Sequence, residues 1–381
     1  MQNGLCAMGM TFPLSLRHLI VGLSRASIRD RYPECVSHTF ASWAAPVNMR
    51  GCTMAYHGNG RRKIAGNFDD RVEGKGGSHM HVVEEWLPYL DYKTYVRIVE
   101  PDRPARRATP LVLLHGGPGS THNYFELLDP LADLDGRKIV MYDQIGCGRS
   151  WDDSMAGHPD LWQAKTWLGE LTALRTQLEL EHLHLLGQSW GGMLAIMYLC
   201  DLRPRGVHSL VLSSTLASAS LWSEEGHRRL RYLPEGERRT FLQAEATGDF
   251  DTSEFRAAEG HYMRLFSTDP ASELGPDAPE CLTRPKRSGR ESYVTAWGDN
   301  ELMPSGTLAG YEYADRLGEL DLPTLVVSGT QDLCSPLVAK QMADALPRAR
   351  WELFPNCRHL CFAEDTPRYL RLLSRWLSEF D

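Results

Sequence analysis

The stretch Leu183-His184-Leu185-Leu186-Gly187-Gln188-Ser189-Trp190-Gly191-Gly192-Met193 decides how this chain is read. Leu183 to Leu186 is a short apolar run of the kind a buried parallel strand requires, and Met193 to Cys200 has the composition of a buried helix. Between them a serine has glycines two residues before and two residues after it. The spacing has a physical cause. A sharp strand-to-helix turn that holds a hydroxyl clear of the backbone leaves no room for a Cβ on either flank. Ser189 is therefore the candidate nucleophile, and Trp190 offers a backbone N–H beside it.

A serine hydroxyl attacks only when a base takes its proton, so a histidine oriented by a carboxylate must follow, in the chain order Ser, Asp, His. Leu325 to Ser328 is another apolar strand, and it runs into Gly329-Thr330-Gln331-Asp332, which puts Asp332 at its carboxyl end. His359 follows the strand-like Trp351 to Phe354 and precedes a closing helix near Tyr369 to Phe380; of the 14 histidines it alone has that position. Upstream, Leu111 to Leu114 runs into His115-Gly116-Gly117-Pro118-Gly119, and Lys138 to Tyr142 runs into Asp143-Gln144-Ile145-Gly146-Cys147-Gly148. Gly117 N–H together with Trp190 N–H is expected to face the developing oxyanion. A phosphate-cradling turn is the competing reading of the glycine loop, but there is no GxGxxG and no Walker lysine. Strands alternating with helices such as Thr166 to Leu180 predict a mostly parallel sheet.

With 381 residues, 42% hydrophobic and 24% charged, the chain suits one large core carrying an insertion, and excludes a disordered or fibrous protein. A net charge of −8 argues against nucleic acid as the partner. Nine cysteines without a CxxC pair predict free thiols in a reducing cytoplasm, rather than a zinc ribbon or disulfide scaffold. No apolar run reaches the roughly 18 residues of a membrane span. Residues 1–80 carry ten basic and five acidic side chains, leaving −13 on the remainder, and Gly51 to Gly77 has no apolar period. Gly77-Ser78-His79-Met80 has the form of a scar left by a cleaved expression tag. The expected organisation is an N-terminal extension over 1–80, disordered or non-native; a core over 81–215 and 321–381; and a helical lid over 216–320. Leu216 to Leu233, Glu237 to Ala246 and Thr252 to Leu265 have helical spacing, and Tyr262, Phe266, Tyr293 and Trp297 are expected in the lid's own core.

At these motifs, and at Trp297-Gly298-Asp299-Asn300-Glu301, the sequence resembles the proline iminopeptidase family of α/β-hydrolases, closely the form found in lactobacilli, over residues 81–381. The resemblance implies an α/β-hydrolase fold with a mostly parallel central sheet and an inserted helical lid. It implies a serine exopeptidase that releases N-terminal proline from short peptides with a free N-terminus, without metal or cofactor. It also assigns an amine-binding carboxylate to Glu301. In part of the family a second glutamate directly follows the catalytic aspartate; here that position is Leu333, and Glu312 is the substitute considered. An amino-acid amidase or small-ester hydrolase would use the same triad. A catalytically silent receptor of the same fold is disfavoured by the intact Ser189, Asp332 and His359.

Overall fold

The structure, a computed structural model, describes residues 80–381; the expected extension up to Met80 lies outside the described residues save for Met80 itself. Eight strands form one sheet: β1 (His81–Tyr89), β2 (Tyr92–Glu100), β3 (Leu111–Leu114), β4 (Ile139–Tyr142), β5 (Leu183–Gln188), β6 (Val207–Ser213), β7 (Thr324–Gly329) and β8 (Ala349–Phe354). Their order across the sheet is β1-β2-β4-β3-β5-β6-β7-β8. From β4 to β8 every pairing is parallel, while β1 and β2 join antiparallel at one edge.

The uninterrupted apolar strands follow from this architecture, because both faces of the sheet are covered. Val112 and Leu114 of β3 enter the core that includes Trp167, Trp190 and Met342, whereas Leu111 and Leu113 enter the opposite core with Phe362, Leu373 and Trp376. Val140 and Tyr142 of β4 divide from Ile139 and Met141 in the same way. The helices Ala164–Gln177 and Trp190–Met197 belong to the first face and Thr366–Glu379 to the second.

The alternation of Tyr92 to Val99 reads as a strand from the sequence, and the structure adds β1 before it. Pro88 and the absence of glycine from the turn conceal this hairpin. Leu90 takes φ 51° at the reversal, a left-handed conformation normally signalled by glycine or asparagine.

Residues 214–323, between β6 and β7, carry the helices Ala219–Arg229, Glu235–Thr247, Ser253–Phe266, Pro270–Leu274, Glu280–Thr283 and Arg290–Ala296. The insertion begins and ends at a narrow neck. Ser218 and Glu312 form an antiparallel bridge, Ala219 N–H donates to the Tyr311 carbonyl at 2.8 Å, and Tyr313 N–H donates to the Ala217 carbonyl at 2.7 Å.

Candidate active site

Because β3 to β8 are parallel, the loops after them emerge at one edge of the sheet. Ser189 sits directly after β5 at φ 54° and ψ −123°, a strained position for a side-chain-bearing residue. Surrounding bonds enforce it: Ser189 N–H donates to the Ser213 and Ser214 carbonyls at 3.1 Å, and its own carbonyl accepts from Thr215 Oγ1 at 2.6 Å. A Cβ on Gly191 would overlap the Leu114 carbonyl, so glycine is required where the turn crosses β3. The helix Trp190–Met197 starts at this turn, and its N-terminal dipole adds positive potential beside the hydroxyl.

Asp332 follows β7 and is fully buried. Its Oδ1 accepts Cys334 N–H and His359 Nδ1–H, each at 2.9 Å, and its Oδ2 accepts Gly329 N–H at 3.0 Å. A carboxylate with this donor set holds the proton on His359 Nδ1 and leaves Nε2 as the basic atom. Ser189 and His359 line one cavity of about 350 Å³. No hydrogen bond joins Ser189 Oγ to His359 among the described residues, a spacing that substrate commonly tightens.

The glycine loop after β3 is locked from below. Gln144 N–H donates to His115 Nε2 at 3.0 Å, so His115 presents Nδ1–H to the Gly116 carbonyl at 2.8 Å. Complete burial pushes the His115 imidazole down to about 4, which keeps it neutral for this role. Gln144 then bridges outward: its amide N–H donates to the His115 carbonyl at 2.9 Å, and its Oε1 accepts Trp190 Nε1–H at 2.7 Å. Gly116 N–H is spent on Tyr124 Oη at 2.6 Å. Gly117, which lines the cavity, and Trp190 have no protein acceptor for their N–H groups among the described residues.

Glu170 supports the loop after β4 from the helix Ala164–Gln177. Its carboxyl accepts Ile145 N–H at 2.9 Å and the Thr94 hydroxyl at 2.5 Å. Burial, reinforced by the nearby Asp143 charge, pushes it up to about 8 despite those hydrogen bonds. Since the folded value exceeds the usual 4.5, its protonated form favours folding: the contribution is complete below about 4.5 and is lost as pH rises through about 8. Glu170→Gln should remove that slope. Relative to wild type, the variant is expected to gain about 2 kcal/mol between pH 6 and pH 8, read from urea unfolding at each pH. Parallel stability profiles would refute the assignment.

Glu301 lines the same cavity, in the loop after the helix Arg290–Ala296. The indole N–H groups of Trp222 and Trp297 hold its carbonyl at 2.9 and 3.0 Å, and the Tyr293 hydroxyl donates to its Oε2. Desolvation raises the carboxyl above its ordinary value, opposed by Tyr293 and by the His359 side. Tyr262, Phe266 and Trp297 are buried in the apolar cluster that continues into the first face of the sheet, while Tyr293, packed against that cluster, lines the cavity. Leu333 supplies an apolar wall.

The structure corrects the placement of Glu312. It lies outside this cavity, at the neck of the insertion, where its carboxylate accepts Ser220 N–H at 2.7 Å. This satisfies a free N–H in the first turn of the helix Ala219–Arg229, so Glu312 is not an amine-binding group.

Asp332, Cys334 and His359 bring potential ligand atoms within 4.8 Å of one another. Their donor set is ill suited to a cation. Asp332 Oδ1 already serves His359 and Cys334 N–H, and burial holds the Cys334 thiol well above its ordinary value, disfavouring thiolate. Six buried cysteines, including Cys334, are free thiols among the described residues.

Residues 109–366 match the family model of the alpha/beta hydrolase fold. The chain is 52% identical over 304 residues to the proline iminopeptidase of Lactobacillus delbrueckii subsp. lactis, a match spanning 79% of this chain and 100% of that protein. The chain belongs to the proline iminopeptidase family. A second member, from Clostridium botulinum strain Hall, is 51% identical over 302 residues, with 79% of this chain and 100% of its own length covered. The crystal structure of proline iminopeptidase from Mycobacterium smegmatis superposes with a TM-score of 0.69 at 30% identity, covering 78% of this chain and 98% of that one. Within the proline iminopeptidase fold, the sequence reading had singled out the three triad candidates and Glu301. It did not identify His115, Gln144 and Glu170 as supports, because their partners lie on other strands and helices. The only local signal was polar residues inside otherwise apolar stretches.

Proposed function

We propose that this chain is a prolyl aminopeptidase, a serine exopeptidase that releases N-terminal proline from short peptides through an acyl-enzyme. The observation that carries the reading is the carboxylate of Glu301 in the cavity that holds Ser189 and His359. A desolvated carboxylate is the natural partner for an ammonium leaving water, and it requires the substrate's N-terminus to be free. No helix among the described residues is long and apolar enough to cross a membrane. The buried free thiols support a reducing, cytoplasmic location.

Ser189 Oγ attacks the carbonyl carbon of the first residue as His359 Nε2 takes the hydroxyl proton. The oxyanion receives Gly117 N–H and Trp190 N–H. Collapse of the tetrahedral adduct breaks the peptide C–N bond, and His359 returns the proton to the departing amine. The prolyl ester on Ser189 is then attacked by a water that His359 deprotonates, which releases proline and restores the hydroxyl. The insertion contributes Met263, Thr268 and Tyr293 to the cavity wall, and in this reading it acts as a lid that limits substrates to short chains.

The amidase or esterase reading shares this chemistry but does not need Glu301. Glu301→Gln keeps the shape and removes the charge, so kcat/KM for a prolyl arylamide should fall about 10-fold to 150-fold, while an activated ester lacking an amine is nearly unaffected. The wild type should also lose arylamide activity on acidification at a higher pH than an ordinary carboxylate would impose, because burial raises Glu301 and only its ionised form pairs with ammonium. Equal losses on both substrates, or equal cleavage of N-acetyl-prolyl and free prolyl substrates, would place the amidase or esterase reading ahead.

A further inference from the structure

Gln188 ends β5 and stands immediately before Ser189, yet the proposed reaction gives it no part. Its side chain is buried and lines the cavity that holds Ser189 and His359. Both ends of its amide are taken. Tyr124 Oη donates to Gln188 Oε1 at 2.9 Å, and Gln188 Nε2–H donates to the His359 carbonyl at 3.3 Å. The partners fix which way the amide points. A backbone carbonyl can only accept, so the nitrogen must face His359 and the oxygen must face Tyr124. Tyr124 gives the same answer from its other side: its oxygen accepts Gly116 N–H at 2.6 Å, which leaves its single proton for Gln188. Burial pushes the phenol up, so that proton stays in place.

One chain of donors therefore runs from Gly116 through Tyr124 and Gln188 to His359, every link pointing the same way. It ties together the glycine loop after β3, the end of β5 that bears the elbow, and the loop after β8 that bears the base. The fit is close: a Cβ on Gly116 would come within 2.6 Å of Gln188 Oε1 and 3.2 Å of Ser189 Cβ. Asp332 holds the His359 ring at Nδ1, but the ring projects from a backbone that also needs a hold. Among the described residues, Gln188 supplies the one hydrogen bond to the His359 carbonyl.

We propose that Gln188 is a positioning residue: it holds the His359 backbone against the end of β5 and so sets the distance from His359 Nε2 to Ser189 Oγ, while Tyr124 orients the amide that does this. The inference rests on the serine chemistry of the proposed function and adds to it a residue that acts through the base rather than on the substrate.

The test compares wild type, Gln188→Met and Gln188→Glu from about pH 5 to about pH 9, by kcat and KM on a prolyl arylamide and by the rate at which a fluorophosphonate labels Ser189. Methionine keeps the length and loses both hydrogen bonds. Its kcat and labelling rate should fall about 10²-fold, the cost of misplacing a catalytic group by about 1 Å, with KM nearly unchanged and the same factor at every pH. Glutamate has two forms. Protonated, it offers an oxygen to Tyr124 and an O–H to the His359 carbonyl, as the amide does; ionised, it turns a lone pair on that carbonyl. Burial raises such a carboxyl into the range tested, so its labelling rate relative to wild type should be near one at about pH 5, fall about 10²-fold by about pH 8, and return when the same sample is re-acidified. Tyr124, Asp269, Lys286, Tyr293, Glu301 and His359 are the titratable side chains that share this cavity, and all are common to the proteins compared, so their own titrations divide out of the ratio. Wild-type kcat in Gln188→Met overturns the proposal. So does a Gln188→Glu ratio that is flat with pH, or one that recovers above about pH 8, the mark of a charge that only raises the imidazole's affinity for its proton. Labelling needs no peptide substrate: wild type that labels readily without cleaving the arylamide would overturn the aminopeptidase reading, while the labelling ratios still decide the role of Gln188.

Discussion

Ser189→Ala is expected to lower kcat/KM for a prolyl arylamide by at least ~10³-fold, with the urea midpoint close to wild type. The hydroxyl has no described hydrogen bond to lose, and the strained turn is held by backbone bonds and by Thr215. Alanine therefore keeps the elbow and removes only the attacking atom. His359→Ala should be comparably inactive, and the double variant only slightly worse than either, since a base without its nucleophile has nothing left to activate. Multiplying losses in the double variant would mean that the two residues do not act as one unit, and near-normal turnover by Ser189→Ala would remove it from the mechanism.

Asp332→Asn should reduce kcat by ~10³ to 10⁴-fold at nearly unchanged KM. The present carboxylate receives three N–H groups, from Gly329, Cys334 and His359. An asparagine has one oxygen to offer, so its NH₂ must face either the Gly329 donor or the pair formed by Cys334 and His359. In the second orientation His359 accepts at Nδ1 and carries its proton on Nε2, which aims a donor at Ser189 and abolishes the base. In the first, a buried donor is left unmatched at a cost of about 1 to 3 kcal/mol, visible as a lower urea midpoint. A variant retaining a tenth of wild-type kcat would show that His359 does not need Asp332 for its tautomer.

The strands of the parallel sheet were legible because a sheet covered on both faces permits no polar alternation, and Leu111 to Leu114 or Leu183 to Leu186 have no other reading at that length. Ser189 was legible because a sterically crowded turn imposes glycines at fixed offsets. By contrast, β1 lies at the sheet edge, where burial alternates along the strand but apolar Val82 and Trp86 fall on the exposed face, so the letters do not alternate with it. The contact of Tyr293 with Glu301 spans only eight residues but depends on the chain reversing after a helix, which spacing alone does not determine. Glu312 misled because an acid beside an expected site has the same letter whether it binds substrate or caps a helix.

The neck at Ser218 and Glu312 bears on how such a protein diversifies. Because the insertion leaves the sheet and returns to it at neighbouring points, its length is nearly independent of the distance that β6 and β7 must bridge. Closure entropy grows only with the logarithm of loop length, about 0.6 kcal/mol for each doubling. Helices above the neck can therefore be added, lost or exchanged by recombination without shifting the register between β6 and β7. Lineages that share the catalytic sheet are free to drift in what they accept, since a foreign segment grafted between residues 217 and 313 keeps Ser189, Asp332 and His359 but replaces Glu301, and with it the group that reads the substrate's amine.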